Sequence, residues 1–324
     1  MKRNNIKQAA SLVAGAALMC SLTMAAVPAC AVWIEVPPVT ITRAIRSSVF
    51  PLVNAIRRAA ADNSPSARSW TDIPVIAHAM GTVDGRIGTN CKDAFLESYA
   101  RGQRVFEVDL QLTSDGVMVA RHDWDTNSNF NMEQSLEGVA DWKTFMSTPV
   151  CYYYSPLDID GIIDLMLAYP DVYIVTDGKD TDEASVRAQV REIVRAVNQA
   201  GDPSLWDRII IQIYHEEMYD WVKAEAPVKN WIFTLYQIGN PDYDEIGRFC
   251  QERDIPVVTI DAARLAAENS RILHSYGRLV YTHTVNRLSS MAASSLWADG
   301  FYSDYVTPAQ LKGVLNNNYG QYSR

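Results

Sequence analysis

After Asp72 the chain alternates short apolar runs, rich in β-branched residues, with longer stretches that repeat apolar residues at helical spacing. Clear helical patterns cover residues 183–200 and 243–253. Such alternation is typical of a parallel sheet whose strands are joined by helices. Nine runs have the length and composition of strands: 75–78, 105–113, 117–122, 172–177, 209–214, 231–236, 257–261, 279–284 and 300–304.

The number of alternating units predicts the fold class. About eight units over roughly 250 residues indicate an α/β fold, a (β/α)8 TIM barrel spanning residues 73–324. A doubly wound open sheet is the alternative, although it would usually need fewer strands. Only Ser114-Asp115-Gly116, a tight-turn signal, separates the second run from the third.

The first 31 residues have the pattern of an export signal. Three basic side chains precede an almost wholly apolar run, and small residues around Cys30 offer a cleavage site. We therefore expect an exported protein, extracellular or at the cell surface. A retained membrane anchor and a lipid-modified Cys30 are the alternatives.

Residues 32–72 are predicted to be an amphipathic segment and a linker. Residues 40–61 repeat apolar side chains every three or four positions, with arginines between them. We expect this helix either to pack on the domain that follows or to make peripheral contact with a membrane surface.

The charge of the chain argues against nucleic acid as a partner. The 324 residues carry 29 basic and 38 acidic side chains, a net charge of −9. Residues 1–31 hold three of the basic side chains and no acidic ones, so cleavage would leave 26 basic against 38 acidic, or −12. A chain this acidic is repelled by phosphate backbones.

The cysteines show no metal-binding spacing. Two lie in or beside the signal, and three lie in the body of the chain, at Cys91, Cys151 and Cys250. In an oxidising compartment Cys91 and Cys151 are predicted to form a disulfide, and three buried free thiols are the alternative.

Ionisable side chains mark several of the predicted strands. Glu107 and Asp109 lie two residues apart in the second run, so both point to the same side. The first, third and fourth runs end at His78, His122 and Asp177. Catalytic groups of a (β/α)8 barrel lie at the carboxyl ends of its strands, so this pattern predicts an active site.

The carboxylates within that pattern predict a metal site. Glu107, Asp109 and Asp177 would repel one another if they converged without balancing cations. A hard divalent cation, Ca²⁺ or Mg²⁺, removes the conflict because both prefer carboxylate oxygens.

The remaining groups suit proton transfer and anion binding. An imidazole titrates near neutral pH, so one of His78 and His122 can accept a proton while the other donates one. Lys179 lies two residues past Asp177 and is placed to neutralise an anionic oxygen.

These residues resemble the glycerophosphodiester phosphodiesterases, within the superfamily of phosphatidylinositol-specific phospholipase C-like barrels. The resemblance covers about residues 73–310. The family's Glu-x-Asp, Thr-x-Asp-Gly and His-Asp motifs are intact, and its His-Arg-Gly, Pro-Glu-Asn-Thr and Glu-x-Lys motifs are altered. The corresponding segments here are Glu107-Val108-Asp109, Thr113-Ser114-Asp115-Gly116, His122-Asp123, His78-Ala79-Met80-Gly81, Gly88-Thr89-Asn90-Cys91 and Asp177-Gly178-Lys179.

The resemblance implies a metal-dependent phosphodiesterase in which the substrate's own neighbouring hydroxyl attacks phosphorus. It implies that Glu107, Asp109 and Asp177 hold the metal, that His78 and His122 are the acid and base, and that Lys179 stabilises the transition state. Asn90 and Lys179 would bind substrate. The family's arginine after the first histidine is absent, and Arg86 and Arg121 are the candidates to replace it.

The substrate is expected to be a glycerophosphodiester or a related phospholipid or wall polymer. The alternatives are a phospholipase C-like or sphingomyelinase D-like lipase of the same superfamily, and a surface barrel that binds a polar ligand without turnover. The altered His78-Ala79-Met80-Gly81 segment motivates the last of these.

Overall fold

The computed structural model of this protein describes residues 69–124, 136 and 138–322. The predicted export signal, the amphipathic helix at residues 40–61 and most of the linker lie outside the described residues. Among the described residues, no helix combines the length and the apolar character needed to cross a membrane.

In the part of the chain that the structure describes, nine strands form one sheet, and eight of them close into a parallel barrel. The first barrel strand pairs with the second and also with the last, through Ala77 with Phe106 and Val75 with Phe301. This closure confirms the predicted α/β (β/α)8 barrel over the open sheet. The strands are β1 (Val75–Ala77), β2 (Val105–Leu112), β3 (Met118–Ala120), β4 (Tyr173–Gly178), β5 (Ile209–Ile213), β6 (Asn230–Thr234), β7 (Val257–Asp261), β8 (Leu279–His283) and β9 (Gly300–Ser303).

Helices connect the strands on the outside of the barrel, and the predicted helices are confirmed. The pattern at residues 183–200 is one helix over that whole range, capped by the Asp182 side chain and ended by Gly201 in the left-handed conformation (φ 66°). The helices are α1 (Lys92–Ala100), α2 (Trp142–Ser147), α3 (Ile159–Ala168), α4 (Glu183–Ala200), α5 (Glu217–Glu225), α6 (Tyr243–Glu252), α7 (Ala267–Ser275), α8 (Leu288–Ser294) and α9 (Pro308–Tyr322).

The interior of the barrel changes from apolar to polar along the strands. Near the amino ends it is filled by a buried cluster that includes Ile76, Val105, Val175, Ile210, Ile232, Val257 and Tyr281. Side chains alternate along a strand, so Glu107 follows Val105 into the interior and Asp177 follows Val175. The carboxyl ends of the strands therefore carry the polar groups.

The third predicted strand is present but lies outside the barrel wall. His122 therefore does not end a barrel strand, contrary to the prediction. Strand β3 runs antiparallel to β2, with Leu110 opposite Ala120. The tight turn before β3 leaves too few residues for the crossover that a parallel strand needs. The hairpin instead brings the chain back along β2, where Arg121 N donates to Asp109 O at 2.9 Å. His122 thus reaches the mouth of the barrel by a return path.

The predicted Cys91–Cys151 disulfide is wrong. Cys91 is a buried free thiol at the start of α1. Its Sγ lies 3.2 Å from Thr89 Oγ1 and accepts from Ala94 N at 3.4 Å. A sulfur atom engaged as a helix cap behaves as a small polar side chain, and the free-thiol alternative describes Cys91 correctly.

Candidate active site

Three carboxylates meet at the mouth of the barrel. Glu107 and Asp109 come from β2 and Asp177 from the neighbouring β4, where Asp109 and Asp177 are register partners. One oxygen from each lies within 4.8 Å of the others, and all three side chains are buried. The structure therefore brings together the carboxylates that the sequence pattern placed at strand ends.

The turn after β1 holds two of these carboxylates. Ala79 N donates to Glu107 Oε2 at 2.7 Å, with Ala79 and Met80 in the left-handed region (φ 48° and 66°). Asn90 Nδ2 donates to Asp109 Oδ2 at 2.7 Å, and Asn90 Oδ1 accepts from Asp109 N at 3.0 Å. Asn90 thus contacts Asp109 through its side-chain amide, and its predicted role in binding substrate stays a prediction. Its amide positions the acidic cluster.

Lys179 is the cation of the cluster. Its Nζ lies 2.5 Å from Asp109 Oδ1 and 2.6 Å from Asp177 Oδ2. Burial would lower the pKa of this ammonium, but the two carboxylates raise it well above its usual range. Lys179 is therefore charged and balances part of the negative charge at the mouth.

The carboxylates differ strongly in acidity. Burial raises the pKa of Glu107 to about 8, and the charge of Asp109 adds to this effect. Burial acts on Asp109 in the same direction, but Lys179, together with His78 and His122, more than reverses it and lowers the pKa of Asp109 to about 2. Burial also raises the pKa of Asp177. Without a further cation, the Glu107 carboxyl therefore keeps its proton near neutral pH.

The donor set fits a divalent cation. Oε1 of Glu107 is buried and has no hydrogen-bond partner among the described residues. A buried polar atom without a partner is costly, and a hard cation that binds carboxylate oxygens removes that cost. Glu107, Asp109 and Asp177 are the residues that would hold it.

His78 stands beside the cluster with an aspartate behind it. Its Nδ1 lies 2.8 Å from Oδ1 of Asp304, which follows the last strand. Asn286 fixes that carboxylate, since its Nδ2 donates to Asp304 Oδ2 at 2.5 Å and its Oδ1 accepts from Asp304 N at 2.9 Å. Because Asp304 occupies Nδ1, Nε2 of His78 is the nitrogen that remains for chemistry.

The environment of His78 favours its protonated form. Burial lowers the pKa of this imidazole, but the hydrogen bond to Asp304 and the charges of Glu107 and Asp109 outweigh burial. The pKa is raised to about 9 as a result. In the metal-free protein His78 therefore carries a proton at neutral pH.

His122 forms a second histidine–aspartate pair, just past β3. Its Nδ1 lies 2.8 Å from Asp123 Oδ2, and Gln111 Nε2 donates to the backbone oxygen of His122 at 3.0 Å. The charge of His122 acts on Asp109 and lowers the pKa of that carboxyl, so the imidazole lies near the cluster. Two imidazoles, each oriented by a carboxylate, thus flank the acidic cluster.

The two candidate arginines have different surroundings. Arg121 Nε donates to Asp123 O at 2.6 Å, and its guanidinium carbon lies 4.9 Å from the centre of the Trp124 ring. Arg86 is exposed, in a turn closed by its backbone pairing with Val83. Their role in binding substrate stays a prediction.

Several residues of the site were not predicted from the sequence. Tyr214, just past β5, donates its hydroxyl to Asp177 Oδ1. Its ring packs on that of Tyr236, 5.2 Å away between centroids. Asp304 ends the ninth predicted strand and Asn286 lies just past the eighth, but neither was predicted to belong to the site. The available signal was positional, because Tyr214 and Asp304 directly follow barrel strands as His78 does.

Comparison with known proteins places this site in a family. A model of the "Glycerophosphoryl diester phosphodiesterase family" matches residues 84–307. This span includes the acidic cluster, Lys179, His122 and Asp304.

Solved structures give the same fold. A glycerophosphoryl diester phosphodiesterase from Silicibacter pomeroyi aligns with a TM-score of 0.62 at 18% identity, covering 76% of this chain and 94% of its own. A phosphodiesterase from Oleispira antarctica, solved with the product sn-glycerol-3-phosphate, gives 0.61 at 16% identity, covering 76% and 99%. A glycerophosphodiester phosphodiesterase from Parabacteroides distasonis gives 0.60 at 15%, covering 76% and 98%.

At these identities the structural likeness supports the fold, and the assignment rests on the family model. That model covers more than half of the chain, from the turn after β1 through the last strand, and so the chain belongs to the glycerophosphoryl diester phosphodiesterase family.

Proposed function

We propose that this protein is a metal-dependent phosphodiesterase that hydrolyses a glycerophosphodiester or a related phospholipid or wall polymer by histidine acid–base catalysis. One observation carries the proposal. Three buried carboxylates and two histidine–aspartate pairs converge at one barrel mouth in a chain of this family.

The groups at the mouth suit an internal attack on phosphorus. One histidine accepts the proton of the substrate hydroxyl next to the phosphate, and that oxygen bonds to phosphorus. The other histidine protonates the oxygen of the departing alcohol as its bond to phosphorus breaks. Water then opens the cyclic phosphodiester with the two proton transfers reversed.

The charge that develops on the phosphoryl oxygens needs stabilisation. A divalent cation on Glu107, Asp109 and Asp177 would supply Lewis-acid stabilisation of those oxygens. Lys179 adds a fixed positive charge, half-buried and already in contact with two of the carboxylates. The backbone N–H of Ala79, where the family has arginine, keeps Glu107 in place.

A substrate panel with and without chelator tests the proposal. The full chain is incubated with glycerophosphocholine, glycerophosphoethanolamine, glycerophosphoinositol and intact phospholipids, and released alcohol and phosphate products are measured. We expect EDTA to reduce turnover by about a hundredfold or more and Mg²⁺ or Ca²⁺ to restore it. Full turnover in EDTA would contradict metal dependence. The absence of hydrolysis across the metal-loaded panel would contradict the proposed function.

A lipid substrate is the second candidate, favoured by exposed tyrosines on the catalytic face. Tyr152 and Tyr153 are 82% and 80% exposed. Their loop lies against the start of α1, which follows β1 at the mouth, because Ser155 N donates to Asp93 Oδ2 at 2.6 Å. Amphipathic aromatic side chains favour the interface between lipid and water.

Replacing both tyrosines with serine separates the two candidates. If the substrate lies in a membrane, the Tyr152→Ser/Tyr153→Ser protein should hydrolyse phospholipid vesicles about tenfold more slowly, since burial of one such side chain is worth at least about 1.4 kcal/mol. Its turnover of soluble glycerophosphodiesters should not change. Leu296→Ser is the control, 71% exposed before β9, at the amino ends of the strands. Equal effects of both changes on vesicles would argue against a lipid-facing role for the tyrosine loop.

Export is also proposed, and it rests on the sequence of residues 1–31 alone. The basic start and the apolar run that follows support it. Recovery of the protein outside its producing cell would test export. The mass of the recovered protein would show whether residues 1–31 have been removed.

A further inference from the structure

A chain of hydrogen bonds crosses the barrel interior and ends on Asp177. The Tyr302 hydroxyl donates to Gln212 Oε1 at 2.9 Å. Gln212 Nε2 donates to the Tyr214 oxygen at 2.9 Å, and the Tyr214 hydroxyl donates to Asp177 Oδ1. The chain joins β9, β5 and β4, so it spans the inside of the barrel from one wall to the other.

The direction of this chain follows from the number of protons available. A tyrosine hydroxyl has one proton, and an amide has separate donor and acceptor ends. Because the Tyr214 oxygen accepts from Gln212, its own proton is directed to Asp177. The opposite orientation of the Gln212 amide would take that proton away from Asp177 and leave two acceptor oxygens facing each other. With Asp177 ionised, as a metal ligand is, this arrangement alone satisfies all three bonds.

The side chains of this hydrogen-bond chain are buried, and removing their polar groups from water costs free energy. Gln212, Tyr214 and Tyr302 are 5%, 1% and 3% exposed. Apolar side chains of similar volume would fill the same space without the cost of removing an amide and two hydroxyls from water. The series of hydrogen bonds ends on the Asp177 carboxylate. Holding that carboxylate is therefore the role we assign to these polar groups.

Asp177 needs such support because its side chain is short. The family motif has glutamate where this chain has Asp177, one methylene shorter. Its two oxygens have separate partners, Tyr214 on Oδ1 and Lys179 on Oδ2. With Oδ1 held from inside the barrel, Oδ2 stays directed towards Asp109 and the rest of the acidic cluster.

We propose that Tyr302, Gln212 and Tyr214 form a positioning relay that fixes the Asp177 carboxylate as a ligand for the divalent cation. The relay moves no proton during the reaction. It sets the rotation of one carboxylate, as outer partners of metal ligands do. This inference rests on the cation site of the proposed function.

The affinity of the full chain for Mn²⁺, measured by calorimetry and by the EPR signal of free Mn²⁺, tests the relay. Mn²⁺ prefers the same oxygen ligands as Mg²⁺ and Ca²⁺. Tyr214→Phe should weaken binding by about 10- to 100-fold, the usual effect of losing such a partner. Gln212→Met should weaken it less, and Tyr302→Phe least, because each lies one hydrogen bond further from Asp177.

Tyr281→Phe is the matched control. Tyr281 is also a fully buried tyrosine inside the barrel, and its hydroxyl donates to Thr71 O at 3.4 Å, outside the relay. We expect this change to leave Mn²⁺ affinity unaltered. Thermal unfolding of each variant shows whether the fold is retained. A merely structural role would order the variants by lost stability and not by distance from Asp177.

The outcomes separate the relay from the proposed function. The graded loss of affinity supports the relay even if no phosphodiester is hydrolysed. Unchanged affinity in Tyr214→Phe overturns it even if the enzyme is fully active. An equal loss in Tyr214→Phe and Tyr281→Phe, or a wild-type chain that binds no Mn²⁺, also overturns it.

Discussion

Replacing Glu107 with glutamine is expected to lower turnover by about a thousandfold or more, because the cation and its stabilisation of the transition state are worth several kcal/mol. Glutamine keeps the shape of the side chain and can still accept from Ala79 N, as Glu107 does at 2.7 Å. It removes the carboxylate charge, and with it the ligand whose Oε1 lacks any described partner. The measurement is kcat at saturating Mg²⁺ on the best substrate of the panel.

The same change should stabilise the metal-free protein at pH 8. Burial raises the pKa of Glu107 from 4.5 to about 8. Between these values the folded protein holds a proton that the unfolded chain releases, so the free energy of unfolding falls as pH rises. Glutamine has no proton to lose and escapes this penalty. In EDTA the variant should therefore melt above wild type at pH 8, by about 2 °C or more, with a smaller difference at pH 5.

Glu97→Gln is the matched control for both effects. Glu97 also accepts a backbone N–H, from Asp84 at 3.0 Å, but it lies on α1 outside the cluster. It should change neither turnover nor the pH dependence of melting. Near-normal activity of Glu107→Gln would show that Glu107 is not a ligand of the metal. A melting temperature of Glu107→Gln below that of wild type at pH 8 would contradict a raised pKa of Glu107.

Replacing His78 with glutamine is expected to lower kcat by about 10²- to 10⁴-fold, the usual contribution of a positioned acid or base. His122→Gln should have an effect of the same order. Asp304→Asn tests the orientation of His78, because an amide in its place can donate to Nδ1 and so favour the wrong tautomer. We expect Asp304→Asn to reduce kcat while KM and Mn²⁺ affinity change little.

The control for the histidines is a pair of the same kind elsewhere in the molecule. His274 Nε2 lies 2.8 Å from Asp299 Oδ2, on α7 outside the barrel. His274→Gln should leave kcat unchanged. Activity that survives in His78→Gln and in His122→Gln would exclude acid–base catalysis by these imidazoles.

The parts of the structure that the sequence could predict are those with local signals. The period of two in β2 places Glu107 and Asp109 on one face, and the end of the fourth run places Asp177 beside them. The helix at residues 183–200 was predictable from the spacing of its apolar residues. These features depend on residues close together in the chain.

The parts that were missed depend on long-range contacts. Strand β3 has the composition of a barrel strand, and only its short turn shows that it must run antiparallel to β2. The partner of His78 lies 226 residues away, so no local pattern connects it to Asp304. Tyr214 resembles any aromatic residue at a strand end until β4 and β5 are side by side.

Closure of the barrel by β9 also determines when the site is complete during synthesis. Glu107, Asp109, Asp177 and Lys179 belong to the first half of the barrel and precede β5 in the chain. Asp304 is the last of the site residues to be synthesised, and it lies beside His78 once β9 pairs with β1. A growing chain therefore carries the acidic cluster long before the first histidine has the carboxylate that orients it. In the proposed mechanism, the orientation of His78 therefore depends on the barrel strand that is synthesised last.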